Sequence, residues 1–214
     1  FFFKQKTAYE ISTRDWSSDV CSSDLHVFKN LSFGPTMFKA LRPYTKKPFD
    51  VHLMATRAPA WIEALKEAGC DRILIHVNLE DEIASVIRLI NAHAMSVGLV
   101  LTPRDEAELI LPHLDHLDVV NVMTVDPGFG GQMFLHAMMP KVSKVREMIG
   151  QRMIDLSVDG GITVETAKLA GRTGANCFVA GTSVFKNETR NYEAAITALR
   201  EAAFTATQRL PETV

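Results

Sequence analysis

The sequence predicts an α/β fold, a run of parallel strands joined by helices and curved toward a barrel, on three observations. Short apolar, β-branched runs begin near Phe49 (FDVHLM), Arg72 (RILIH), Ser96 (SVGLVL), Val119 (VVNVMTV), Met153 (MIDLSV) and Cys177 (CFVA). Their starts lie 23, 24, 23, 34 and 24 residues apart, room each time for one strand and one crossover helix. The third observation is the alternation within the strands. In FDVHLM, Phe49, Val51 and Leu53 share one face and Asp50, His52 and Met54 the other; in IDLSVD, Ile154, Leu156 and Val158 oppose Asp155, Ser157 and Asp159. Spacing alone leaves an open doubly wound sheet and part of an eight-stranded barrel as alternatives. The polar face favours the barrel, because a central strand of an open sheet is apolar on both faces whereas a barrel interior accepts polar groups that line a site.

The helices follow in order. Gly34-Pro35 opens one that runs to about Arg42, with Pro where its missing N–H costs nothing. Trp61, Ile62, Leu65 and Ala68 form one helical stripe, Ile83, Val86, Ile87 and Ile90 a second, and Val142, Val145 and Ile149 a third. A last helix, about Tyr192 to Ala206, carries Ile196, Leu199, Ala203 and Phe204 on one side.

At 214 residues, with 47% hydrophobic and 22% charged residues, the chain suits one globular domain with a buried core. A formal net charge of −2 with scattered Lys and Arg argues against a nucleic-acid or membrane-surface partner. Three cysteines, Cys21, Cys70 and Cys177, make neither a disulfide framework nor a CxxC metal site. No apolar run approaches the roughly 20 residues that span a bilayer, and no signal-peptide pattern opens the chain. A cytoplasmic location is expected.

Residues 1–25 stand apart. Ser17 to Asp24 has neither strand alternation nor a helical apolar face, and Asp19 to Leu25 resembles one reading frame of a sequencing adapter. The segment is expected to be foreign to the fold, which leaves 26–214 as a partial barrel in a single domain. Without two further strands, the Phe49 and Cys177 strands would each present a bare edge.

In such a barrel the chemistry gathers at the C-terminal strand ends, which points to His52, His76, Met123 and Asp159. Two glycine-rich turns follow strands there: Asp126 to Gln132 (DPGFGGQ), and Gly181-Thr182-Ser183. Together with Gly160-Gly161 they let backbone N–H groups approach an anion closely, and phosphate is the natural one.

Phe49 to Met54 (FDVHLM), Val122 to Gln132 (VMTVDPGFGGQ), Val158 to Ile162 (VDGGI) and Val179 to Thr182 (VAGT), in this order and spacing, resemble the ribulose-phosphate 3-epimerases. Asn30 to Pro35 (NLSFGP) resembles the family's stretch ahead of its second helix, and the resemblance spans about His26 to Ala203. It implies a (β/α)8 TIM barrel of the ribulose-phosphate-binding type. It also implies a cytoplasmic enzyme of the pentose phosphate pathway and carbohydrate metabolism, one that interconverts ribulose 5-phosphate and xylulose 5-phosphate. The reaction moves one proton at C3 through an enediolate, between two aspartates on opposite faces. A divalent metal holds the substrate oxygens, with zinc or iron(II) first and manganese or cobalt next. His52 matches a metal ligand, and Asp159 matches both a ligand and one acid/base. Met54 and Met123 match the methionines beside the metal. Gly128, Phe129, Gly130, Gly131, Gly160, Gly161, Gly181 and Thr182, with His52 and Asp159, match the substrate- and phosphate-binding positions. The implied partner is a small phosphorylated ketose, and a homo-oligomer is compatible with the resemblance.

Departures from the pattern bear on activity. The family's first strand carries a substrate-binding Ser and its second a His-x-Asp with two more metal ligands and the second catalytic aspartate; residues 1–25 occupy that place. The chain with that segment is expected to be an inactive, phosphate-binding barrel fragment of an active parent. Asn78 replaces a frequent Glu, Ser157 another, Thr102 the usual Asn before Pro, and Thr182 a common Ser. These changes make an allulose 6-phosphate 3-epimerase the alternative.

Overall fold

Residues 2–4, 34–128, 131–186 and 191–207 are described by a computed structural model. Elements alternate along the chain as β1 (Phe2–Lys4), α1 (Pro35–Leu41), β2 (Asp50–Leu53), α2 (Pro59–Glu67), β3 (Arg72–His76), α3 (Ile83–Ala92) and β4 (Ser96–Leu101). They continue as β5 (Val119–Met123), α4 (Met139–Ile149), β6 (Asp155–Asp159), α5 (Val164–Arg172), β7 (Cys177–Val179), α6 (Thr182–Phe185) and α7 (Tyr192–Thr207). Strands β2 to β7 pair in sequence order, each parallel to the next, and β1 closes one end of the seven-stranded sheet. Every expected strand is present: β3 and β4 match their expected runs, the others lose one or two residues at ends that lie in turns, and β6 runs one residue further, to Asp159.

The fold follows from the two faces of these strands. Val51, Leu53, Ile73, Ile75, Val97, Leu99, Leu101, Val120, Val122, Leu156, Val158 and Phe178 point outward into one continuous apolar core. The helical stripes expected from the sequence meet them there: Ile62 and Leu65 from α2, Val86, Ile87 and Ile90 from α3, and Val142, Val145 and Ile149 from α4. The inner face has its own smaller apolar cluster, Met54, Leu74, Val100, Val119, Met123 and Val125, with Cys177 and Val179 apart from it. Six parallel strands with helices on one side and a separately packed interior form part of an α/β barrel.

Two expectations are corrected. Phe204, placed on the inner side of the last helix, is 38% exposed, because Leu199 and Ala203 already fill the contact. The Cys177 edge is not bare: Phe2–Lys4, from the segment set outside the fold, pairs antiparallel with Val179–Cys177. An exposed edge recruits whatever extended, apolar segment reaches it, and residues 2 and 3 are phenylalanines. The remaining residues of 1–25 lie outside the described residues. Sequence periodicity also left 102–118 without an element, where a 3₁₀ helix spans Ala107–His116 with Pro112 inside it.

A lysine ties this 3₁₀ region to α4. Lys141 Nζ donates to the carbonyls of Thr102, Pro103 and Asp105 at 3.0, 3.0 and 2.6 Å. Lys141→Met keeps the apolar stem and removes all three bonds, so it should cost about 1–3 kcal/mol of stability. Urea denaturation checks this; an unchanged midpoint would mean that water serves the three carbonyls equally well.

The inner face also carries a polar residue with no visible reason to be polar. Asn121, on β5, is fully buried, and among the described residues neither atom of its amide has a hydrogen-bond partner. Burying an unsatisfied amide costs about 1–3 kcal/mol. Asn121→Leu should therefore raise stability by about that amount, seen as a higher urea midpoint with the same slope. A lower midpoint would show that the amide is bonded in solution.

Candidate active site

Pleat and stagger decide what meets at the strand ends. In the parallel register His52 of β2 stands beside Leu74 of β3, and His76 lies two residues further on the same inner face. The two imidazoles consequently stack diagonally, with centroids 4.8 Å apart and planes 27° apart. Their Nε2 atoms are 2.8 Å apart, a hydrogen bond. His52 is fully buried and His76 nearly so. The other ring nitrogen of His52, Nδ1, is 3.5 Å from Asp159 Oδ2 at the end of β6. Asp159 is the more open of this pair, its side chain 14% exposed.

Met123, Asp159 and Val179 are register partners on β5, β6 and β7, so the turns after these strands open side by side. Thr124 fixes the second of them. Its N–H donates to Asp159 O at 2.7 Å, and its hydroxyl lies 3.0 Å from that oxygen and donates to Gly160 O at 2.6 Å. Gly160 and Gly161 follow with φ of +115° and +63°. A Cβ on Gly160 would lie 2.4 Å from Val125 Cγ2, and one on Gly161 would lie 2.6 Å from Phe134 N. Packing of the turn requires both glycines, whatever else their N–H groups do.

Gly131, with φ of +83°, faces Thr182: a Cβ there would come 3.7 Å from Thr182 Cγ2. The glycine turn after β5 and the Gly181-Thr182 turn that opens α6 are thus neighbours. Phe129 and Gly130 lie outside the described residues; Gly128 sits in open space. Met54 and Met123 pack in the same inner apolar cluster. Beside them a pocket of about 100 Å³ is lined by Met54, Thr56, His76, Asn78, Thr102 and Pro127.

Of the residues picked out by sequence, the structure joins His52 with Asp159, Met54 with Met123, and Gly131 with Thr182. The spacing of motifs did not reveal the contact between His52 and His76, or the hold of Thr124 on Asp159. Thr124 lies inside the VMTVDPG motif, but its role needs the register of β5 against β6. Among the described residues no group of three or more His, Cys, Asp or Glu stands ready for a metal; His52 and Asp159 are two.

Comparison with known proteins places this architecture. The model of the ribulose-phosphate 3-epimerase family matches residues 10–185. A ribulose-phosphate 3-epimerase of Rhodobacter capsulatus is 40% identical over 206 residues, covering 94% of this chain and 90% of that protein. The chain belongs to the ribulose-phosphate 3-epimerase family. The Bacillus subtilis (strain 168) ribulose-phosphate 3-epimerase is 38% identical over 170 residues, 78% of each chain. The family match begins at residue 10, upstream of the His26 at which the motif resemblance starts. The barrel is shared more widely: the crystal structure of a 3-hexulose-6-phosphate synthase superposes with a TM-score of 0.62 at 21% identity, covering 80% of this chain and 81% of that one. A KGPDC from Streptococcus mutans gives 0.63 at 18% identity, covering 82% and 81%. No described helix is long and apolar enough to cross a membrane.

Proposed function

We propose that this chain carries the β2–β7 part of a site that interconverts ribulose 5-phosphate and xylulose 5-phosphate by moving the C3 proton, with a divalent metal held by His52 and Asp159. The observation that carries this reading is the 3.5 Å between His52 Nδ1 and Asp159 Oδ2, in a chain of this family. Zinc takes imidazole nitrogen and carboxylate oxygen at about 2.0–2.2 Å, which puts two tetrahedral ligands about 3.3–3.5 Å apart. The pair fits, and one imidazole with one carboxylate also suits iron(II). When bound, the ion supplies positive charge that makes the C3 proton of the ketose easier to remove.

The remaining roles fall to the chain. Asp159 takes or returns the C3 proton on one face of the sugar, held in place through its backbone by Thr124. Met54 and Met123 keep water from that face. Gly128, Phe129, Gly130 and Gly131, with Gly160, Gly161, Gly181 and Thr182, receive the substrate and its phosphate through backbone N–H groups and one hydroxyl. On this reading residues 1–25 add no chemistry, and the second carboxylate comes from a His-x-Asp strand in that place. The enzyme works in the cytoplasm, in pentose phosphate metabolism.

One observation favours a sister substrate. Asn78 and Thr102, two of the departures from the family pattern, line the same pocket as His76 and Met54. A change of side chain at both positions reshapes that pocket, so allulose 6-phosphate is the second reading. The test supplies each ketose phosphate with zinc or iron(II) to two proteins: this chain, and one in which a Ser-bearing strand and a His-x-Asp strand replace residues 1–25. The second should turn over ribulose 5-phosphate and the first should only bind it. Failure of the second to epimerise either ketose would sink the proposal, and rapid turnover by the first would sink the reading of residues 1–25.

A further inference from the structure

We infer that His76 is a positioning residue for the metal-binding nitrogen of His52, an inference that rests on the metal reading above. An imidazole that offers Nδ1 to a cation must keep its lone pair there, so its one proton sits on Nε2. His52 Nε2 lies 2.8 Å from His76 Nε2, so His52 donates and His76 accepts. His76, to accept, carries its own proton on Nδ1. With the ion on Nδ1, the hydrogen bond thus holds His52 in the tautomer that keeps the Nδ1 lone pair free on the side of Asp159. Stacking at 4.8 Å and 27° fixes the ring plane at the same time, and His52 itself is fully buried.

The same bond also occupies the Nε2 lone pair that His76 would need in order to serve as a further ligand of that ion. Histidine ligands ordinarily give their second N–H to a carboxylate, a carbonyl or water. Here a neutral ring takes that place, which adds no negative charge behind the ligand.

The test measures zinc affinity by competition with a chromophoric chelator for the full chain and for its His52→Leu, His76→Leu and His76→Gln variants. Loss of an outer-shell partner typically costs about 10–100-fold in metal affinity, so His76→Leu should weaken zinc binding by about that factor. His76→Gln, whose amide oxygen can accept the same N–H, should recover affinity to within a few-fold. Long-range ¹H–¹⁵N correlation on the unsubstituted zinc-loaded chain reads the tautomer directly, without relying on any variant to fold. The His52 ring, identified by its loss in His52→Leu, should carry its proton on Nε2. Unchanged affinity in His76→Leu, or a proton on Nδ1 of His52, overturns the inference alone. A chain that binds zinc no better than its His52→Leu variant overturns the metal reading and this inference with it.

Discussion

Asp159→Asn should remove nearly all epimerisation and leave substrate affinity within a few-fold. In a chain whose first two strands are of the family type, kcat is expected to fall by about 10²–10⁴, the usual contribution of a general acid or base. The upper figure corresponds to about 5.5 kcal/mol of barrier. The amide has nearly the shape of the carboxylate, and Thr124 grips the backbone of Asp159 and Gly160 rather than the side chain. Geometry is therefore kept while proton exchange is lost. A loss of kcat with KM little moved identifies a group that acts in the transition state. A variant within tenfold of the parent kcat would remove Asp159 from the chemistry.

Arg72→Met should destabilise the fold by about 3–5 kcal/mol, the cost of breaking a buried ion pair from one side. Arg72 and Asp50 occupy the inner face at the N-terminal end of the barrel, 3.2 Å apart, their side chains only 15% and 6% exposed. Burial pulls the guanidinium's proton affinity down, but Asp50, Cys177, Asp155 and Asp118 together pull it up by more. Methionine fills the volume and removes the guanidinium that faces Asp50. Asp50→Leu with Arg72→Met should recover much of the loss, since an apolar pair often replaces a buried ion pair at little cost. Urea denaturation of the two single variants and the double decides it; additive losses would show that the charges do not act as a pair.

The strands were legible because each has an outward face of aliphatic residues strong enough to set its register: Val51 and Leu53, Ile73 and Ile75, Leu156 and Val158 all reach the outer core. The 3₁₀ segment was not, because a period of three scatters its apolar residues: Leu109 and Leu111 are about half exposed while Ile110 is buried. Pairing of Phe2–Lys4 was equally invisible, since it depends on which edge lies vacant rather than on the pattern of the segment itself. At the site, motif spacing found His52 and Asp159 but not what holds them. His76 touches His52 through the diagonal stagger of neighbouring strands. Thr124 reaches Asp159 across a register that no linear spacing encodes.

The two described cysteines sit in different compartments of this architecture. Cys70 belongs to the outer core between helices and sheet, and Cys177 to the inner face, on the strand that β1 covers. Burial, first among the causes, pushes each thiol up to about 12, so at neutral pH neither offers a thiolate to an alkylating reagent. Each becomes a silent reporter that speaks only when its own side of the molecule opens. Three residues of antiparallel pairing are a weak clasp, and in timed alkylation mapped by mass spectrometry Cys177 should be marked well before Cys70. The barrel would then breathe from its β7 seam while its helical jacket stays shut.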